Sequence, residues 1–243
     1  IKRLLPIAAC LAAGHLASTM AMFYGTVAFA NVVKTAEPLF TCLFSALVLG
    51  QFFSLPTYLT LIPIMSGVAY ASAKELQFSW VSLSTAMASN VAFALRAILA
   101  KISMGGGAGT PMSPANLFAV VNILAFLLLA PVALLVEGPA ASDNWAAAIA
   151  KGVTSGELTK LICATGVLYY LYNELAFMCL GTVHPVTHAV ANTVKRVAVI
   201  GVSIVYFKNP VTVEGMVGSA IAVVGVLLYS LMLNSEKQAS KAK

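Results

Sequence analysis

The sequence contains very little charge. Asp, Glu, Lys and Arg make up 9% of its 243 residues, against roughly 25% in ordinary soluble domains. Hydrophobic residues account for 60% of the chain, and the mean hydropathy is +0.93. A soluble domain could not cover its surface with so few polar groups, so this composition indicates an integral membrane protein.

Two other features are also missing. The four cysteines show no paired spacing, which argues against a disulfide framework and against a CxxC metal site. The 14 basic residues give a formal net charge of +6, but they are scattered or lie inside apolar runs rather than forming a basic stripe with interleaved aromatics. We therefore expect no nucleic-acid partner, no metal and no cofactor.

Apolar runs of membrane-spanning length recur along the chain and predict an all-α membrane fold with one transporter domain over residues 1–233 and a polar, disordered tail over 234–243. Eight helices are expected, near Leu4–Phe23, Val27–Leu49, Pro56–Ala73, Trp80–Ile102, Asn116–Val136, Leu158–Leu180, Pro185–Phe207 and Gly215–Leu233. A Gly-rich segment, Met104–Pro114, and a polar one, Glu137–Glu157, are the only long connections expected between them.

The few charges that lie inside these runs are the strongest functional signal. Lys195 and Arg196 are adjacent within the seventh run, and Lys34 stands alone in the second. Each such charge at the centre of a bilayer costs roughly 2.5–3.5 kcal/mol on insertion scales. An anionic partner is expected to meet them there, either a bound solute or, as the alternative, a buried carboxylate of Glu37 or Glu174.

The two lysines lie in a short internal echo. The second helix carries Asn31-Val-Val-Lys34 and the seventh carries Asn192-Thr-Val-Lys195. Each lysine is about 12–16 Å into its helix at 1.5 Å per residue, close to the midplane. Helices five spans apart run in opposite directions, which favours inverted five-helix repeats and a ten-helix fold of which eight helices are present, with two N-terminal helices missing.

The intramembrane charges also suggest which anion is bound. Lys34, Arg96, Lys195 and Arg196 stand against Glu37 and Glu174, a balance of about +2 that complements the −1.5 to −2 of a phosphate monoester. A guanidinium offers a planar donor fork for phosphate oxygens, and an ammonium adds a compact charge. The sequence therefore predicts a solute that carries phosphate.

Four motifs occur together in the order expected of one family. They are Gly14-His15, Val33-Lys-Thr-Ala-Glu-Pro38, Tyr169-Tyr-Leu-Tyr-Asn173 and the run from His184 to Val197 that contains Asn192-Thr-Val-Lys-Arg196. Over essentially its whole length the chain resembles the plastidic phosphate translocator family of the drug/metabolite transporter superfamily. The resemblance implies ten helices in two inverted units and an antiporter, not an enzyme, that exchanges inorganic phosphate for phosphorylated C3, C5 or C6 compounds across the inner plastid envelope.

The resemblance also assigns roles to individual residues. It implies that the phosphate group is held by Lys34, Lys195 and Arg196. Tyr172, His15 and Ser18 would hydrogen-bond beside it, and Phe93 would form an aromatic wall of the cavity. Glu37 and Arg96 resemble a gating or structural ion pair. Without the resemblance, His15 and Phe93 would be read as ordinary core residues.

Several functions stay open at this stage. Val186-Thr-His188 resembles the triose-phosphate and phosphoenolpyruvate branches of the family more than the hexose or pentose branches. Gly14-His15 and Gly50-Gln51 resemble the triose-phosphate branch, which implies triose phosphate or 3-phosphoglycerate as the counter-substrate, with phosphoenolpyruvate or another sugar phosphate as the alternative. A nucleotide-sugar carrier would share the fold. A membrane-embedded enzyme that uses His15, His188 and Glu174 is the alternative from another class, although the chain shows no nucleophile with an adjacent base.

Overall fold

The computed structural model describes residues 4–104, 114–182, 185–208 and 212–241, with the backbone alone at 104, 114, 115, 173, 174, 176–182, 185–193, 240 and 241. Every regular element in these ranges is helical, which confirms the all-α fold. The α-helices are α1 Leu5–Phe23, α2 Val27–Val33, α3 Glu37–Leu49, α4 Leu55–Leu59, α5 Leu61–Ala73, α6 Trp80–Met104, α7 Pro114–Val136, α8 Ala141–Ala150, α9 Ser155–Thr182, α10 Pro185–Phe207 and α11 Val213–Lys241.

All eight expected helical regions are present, and five stretches in the described ranges are long and apolar enough to cross a membrane. These five are Leu5–Phe23, Val27–Leu49, Trp80–Ser103, Asn116–Val136 and Val213–Ala239. Some segments differ from those expected. The third expected helix divides at Thr60 into α4 and α5, and the polar connection after α7 contains the short helix α8.

The second expected helix is interrupted in its middle. A 3₁₀ turn, Lys34–Ala36, separates α2 from α3. Pro38 has no N–H to donate to the Lys34 carbonyl, and its ring would clash with that carbonyl in a continuous α-helix. The Lys34 carbonyl instead accepts from the Glu37 N–H, three residues on. In the echoing segment of α10 the matching position is Val199, and that helix continues through Lys195 without a break.

Three apolar clusters hold the helices together. The largest lies between α2, α5, α6, α10 and α11 around the fully buried Val33 and nearly buried Phe29. A second joins α1 to α6 and α7 through Leu11 and Val121, and a third joins α3 and α5 to α11 through Ile64. The α2 segment packs directly on α10, so the two helices that contain the echoed lysines are neighbours.

The α5 and α11 helices are packed very closely because glycines line their contact. A Cβ on Gly67 would lie 2.4 Å from the Ala222 nitrogen, and one on Gly218 would lie 2.6 Å from the Ala71 nitrogen. Small residues that let helix backbones approach are a common way to join helices in a membrane. The α5 and α11 helices are therefore closely packed, and α2 and α10 pack against them.

The expectation of a disordered tail after residue 233 is wrong for residues 234–241, because α11 continues to Lys241. Glu236 explains the extension. Its carboxylate accepts from the Ser54 backbone N–H at 2.8 Å, the Ser54 hydroxyl at 3.0 Å and the Thr57 hydroxyl at 2.9 Å. These bonds satisfy donors at the first turn of α4, where a negative charge is favourable.

Replacing Glu236 by Ala should lower the free energy of unfolding in detergent by roughly 1–3 kcal/mol, the range for lost hydrogen bonds to a charged group. Chemical unfolding followed by circular dichroism measures the change. Glu137→Ala is the matched control, since Glu137 is exposed at the end of α7. Equal effects of the two substitutions would contradict a specific role for Glu236.

Candidate anion-binding site

The Lys34 side chain projects from the 3₁₀ turn toward α1 and α6. Its ammonium donates to the hydroxyl of Ser18 at 2.8 Å and lies 5.3 Å from the centre of the Phe93 ring. Ser18 is buried and Lys34 is half-buried. One hydroxyl and one aromatic face leave two of the three ammonium donors of Lys34 available for an anion.

Phe93 is the centre of an aromatic and cationic cluster. The imidazole of His15 meets its ring edge-on, with centroids 5.3 Å apart, and the guanidinium of Arg96 lies 5.9 Å from the ring centre. Gly14 permits this approach, because a Cβ there would lie 2.9 Å from Phe93 Cε1. The Gly14-His15 motif thus places a histidine beside the ring while it keeps α1 flat against α6.

A second lysine of the site lies on α10 and contacts a tyrosine on α9. The ammonium of Lys195 donates to the Tyr172 hydroxyl at 2.6 Å and lies 5.0 Å from the centre of that ring. Tyr169, one turn earlier on α9, lies with its hydroxyl 3.5 Å from His15 Nε2. The sequence analysis did not single out Tyr169, although its three-residue spacing from Tyr172 places both on one helix face.

Arg196 forms the ion pair of the site. Its Nη2 lies 3.4 Å from Glu37 Oε2, and both side chains are largely shielded from solvent, with 17% and 32% exposed. The expected pair between Glu37 and Arg96 is not formed in this structure. Glu37 begins α3 beside the helix break and faces α10, whereas Arg96 lies over Phe93 with its Nε buried and without a hydrogen-bond partner.

Cations from different parts of the chain therefore converge on one region. Lys34 lies close enough to Glu37, Lys195 and Arg196 for their charges to interact, and His15 likewise interacts with Lys34 and Arg96. Among the described side chains, four fixed cations face one carboxylate. The expected contributions of Glu174 and His188 lie outside the described side chains.

This arrangement suits an oxyanion. It supplies two ammonium groups, two guanidinium groups, hydroxyls of Ser18 and Tyr172, and an imidazole, all of which can donate to phosphate oxygens. Within the described ranges, no group of three His, Cys, Asp or Glu residues could hold a metal ion. The site is therefore equipped to bind and release an anion.

Comparison with known proteins gives the family. The model of the Triose-phosphate Transporter family matches residues 1–230. The chain belongs to the Triose-phosphate Transporter family. It shares 38% identity over 248 residues with the chloroplastic triose phosphate/phosphate translocator of Spinacia oleracea, covering 100% of this chain and 59% of that protein. The resemblance seen in the sequence motifs is thereby confirmed.

Relatives with different named substrates are equally similar. The triose phosphate/phosphate translocator of Pisum sativum is 38% identical over 246 residues, covering 100% of this chain and 60% of the relative. Glucose-6-phosphate/phosphate translocator 1 of Arabidopsis thaliana is also 38% identical, over 230 residues, covering 94% and 58%. The chain spans 58–60% of the length of these Triose-phosphate Transporter family members, and overall identity does not separate the two substrate classes.

Replacing Tyr172 by Phe removes the hydroxyl bonded to Lys195 but keeps the ring. We expect phosphate affinity to fall about 3- to 10-fold, the equivalent of one ordinary hydrogen bond of about 1 kcal/mol, and Tyr172→Leu to weaken it further through loss of the cation–π contact. Titration of the purified protein with inorganic phosphate measures this. Tyr170→Phe is the control, because Tyr170 lies two positions earlier on α9 and is 65% exposed. An equal loss of phosphate affinity in Tyr170→Phe would refute the assignment of Tyr172.

Proposed function

We propose that this protein is an antiporter that exchanges inorganic phosphate for a phosphorylated C3 metabolite, triose phosphate or 3-phosphoglycerate, by alternating access. The observation that carries the proposal is the convergence of Lys34 from one half of the chain with Lys195 and Arg196 from the other. Two of the relatives are named triose phosphate/phosphate translocators and one is named a glucose-6-phosphate/phosphate translocator, all of them chloroplastic. We accordingly place this protein in the inner plastid envelope.

The charge balance explains why transport would be an exchange. With four fixed cations and one described carboxylate, an empty site sealed from water would leave cations unpaired in a low-dielectric interior, at a cost of several kcal/mol per ion. A bound phosphate dianion neutralises most of that charge. Closure and reorientation are then fast only when the site is loaded. One inorganic phosphate or phosphorylated metabolite therefore leaves for each that enters.

Arg196 and Glu37 provide a link between binding and closure. In the state described here Glu37 holds Arg196 at 3.4 Å. An arriving phosphate competes for the same guanidinium, because a bidentate contact with phosphate is stronger than a single long contact with a carboxylate. Release of Glu37 frees its carboxylate to pair with Arg96, which realises the gating role that the family resemblance implies.

The preference for a C3 solute rests on the residues beside the phosphate. His15 and Tyr169 close one side of the site, with their polar atoms 3.5 Å apart, and Phe93 closes another. A short phosphorylated solute can present a carboxylate or carbonyl oxygen to these donors. A nucleotide sugar would need room for a base and a diphosphate, and we propose no such role.

Exchange in liposomes tests the proposal. Protein reconstituted with labelled phosphate inside should release it rapidly when triose phosphate or 3-phosphoglycerate is added outside. Lys195→Ala should reduce exchange at least 10-fold, since removing a charged donor to phosphate costs about 1.5–3 kcal/mol or more, while Lys160→Ala, an exposed lysine on α9, should leave it unchanged.

Three outcomes would count against this account. Rapid net efflux of phosphate with no counter-substrate would contradict obligatory exchange. Faster exchange with glucose 6-phosphate or phosphoenolpyruvate than with triose phosphate or 3-phosphoglycerate would contradict the substrate assignment. Exchange that is indifferent to Lys195→Ala would remove the cation cluster from the binding site.

A further inference from the structure

Asn90 is a fully buried polar residue on α6 that the family resemblance does not assign. Its side chain has no exposed surface. The amide nitrogen donates to the Val33 carbonyl at 3.0 Å, whereas the amide oxygen is buried without a partner. Burying an amide in an apolar interior costs free energy unless the amide is hydrogen-bonded. The hydrogen bond to Val33 therefore offsets part of the cost of burying Asn90 at this position.

The carbonyl that Asn90 binds lies directly before the 3₁₀ turn. In a continuous α-helix the Val33 carbonyl would accept from the Glu37 N–H. Here that N–H bonds to the Lys34 carbonyl instead, because Pro38 cannot. The Thr35 hydroxyl donates to the neighbouring carbonyl, that of Val32, at 2.6 Å. Asn90 and Thr35 thus donate to the two carbonyls that directly precede the turn.

The turn decides where the Lys34 side chain points. A 3₁₀ turn rotates about 120° per residue rather than 100°, and it rises about 2.0 Å rather than 1.5 Å. Restoring a continuous helix through residues 34–36 would therefore swing Lys34 relative to Ser18 and Phe93. Whatever fixes the turn also fixes the direction of the ammonium.

Asn90 and Phe93 approach the segment around Lys34 from the same helix. They are three residues apart on α6, and Arg96 follows after another three, so all three share one face. Asn90 bonds the carbonyl of Val33, directly before Lys34, and Phe93 lies 5.3 Å from the Lys34 ammonium. The α6 helix thus contacts both the backbone beside Lys34 and the end of its side chain.

We propose that Asn90 is a positioning residue for phosphate binding: its amide holds the 3₁₀ turn that aims Lys34 at the anion. The inference rests on the proposed function, since it assumes that Lys34 binds phosphate. It predicts that loss of the amide weakens phosphate binding through the direction of Lys34.

The first test replaces Asn90 by Leu in the purified protein and measures binding of inorganic phosphate. We expect the phosphate Kd to rise at least 5-fold. Asn122→Leu is the matched control, because Asn122 is a half-buried asparagine on α7 whose amide donates to the Phe118 carbonyl of its own helix at 2.8 Å. It should leave the phosphate Kd within 2-fold of wild type, and an unchanged Kd in Asn90→Leu would overturn the proposal.

A second substitution tests whether Asn90 directs Lys34 or only supplies a hydrogen bond to the buried Val33 carbonyl. Pro38→Ala restores an N–H that can bond the Lys34 carbonyl, so the Glu37 N–H can return to Val33. In Asn90→Leu/Pro38→Ala the thermal stability lost in Asn90→Leu should recover, while phosphate affinity stays low because Lys34 is then turned away. Recovery of affinity together with stability would show that Asn90 has only a structural role.

A third variant keeps the test decisive if Asn90→Leu does not fold. Asn90→Ala removes the same amide donor without adding a branched side chain to the buried position. Its phosphate Kd should also rise at least 5-fold. An unchanged Kd would overturn the inference, whereas a wild-type protein that binds no phosphate would instead refute the proposed function.

Discussion

Fixed positive charge inside an apolar helical bundle is the constraint on which the rest of this structure depends. Three of the four described cations are each held by a neighbour that stabilises them: Lys34 by Ser18 and Phe93, Lys195 by Tyr172, and Arg196 by Glu37. Arg96 lies over Phe93, and its Nε is buried without a hydrogen-bond partner. Glu37 alone among these neighbours is an anion, so the group is short of negative charge, and we propose that this imbalance favours a dianionic solute.

The helices are built so that these cations meet. Glycines at the contact of α5 and α11 allow a close pair, and α2 and α10 pack beside it through the cluster around Phe29 and Val33. Gly14 admits Phe93 against α1, which brings His15 into the same region. Packing at these small residues thus determines which polar side chains meet in the candidate site, and those side chains determine its chemistry.

Much of the fold could be predicted from the sequence because helix length and apolarity are local properties. The eight helical regions followed from counting residues. The interruption at Lys34 had a local signal in Pro38 that the echo with Asn192-Thr-Val-Lys195 obscured, since α10 has Val199 at the matching position and stays continuous.

Features that depend on contacts between distant segments could not be predicted in this way. Glu236 bonds to Ser54, 182 positions earlier, and so extends α11 through what composition suggested was a loose tail. The partner of Glu37 depends on the rotation of α3 relative to α6 and α10, which composition and spacing do not reveal. The structure pairs Glu37 with Arg196, which is the alternative that the intramembrane charges left open and not the Glu37–Arg96 pair that the motifs suggested.

The central claim is that one phosphate lies between lysines from the two halves of the chain. Solid-state nuclear magnetic resonance can test it directly by measuring dipolar coupling between ³¹P of bound phosphate and ¹⁵N at lysine Nζ. The account predicts coupling to two lysine nitrogens, one lost in Lys34→Arg and the other in Lys195→Arg when arginine is unlabelled. Coupling to one lysine alone, or to neither, would contradict it.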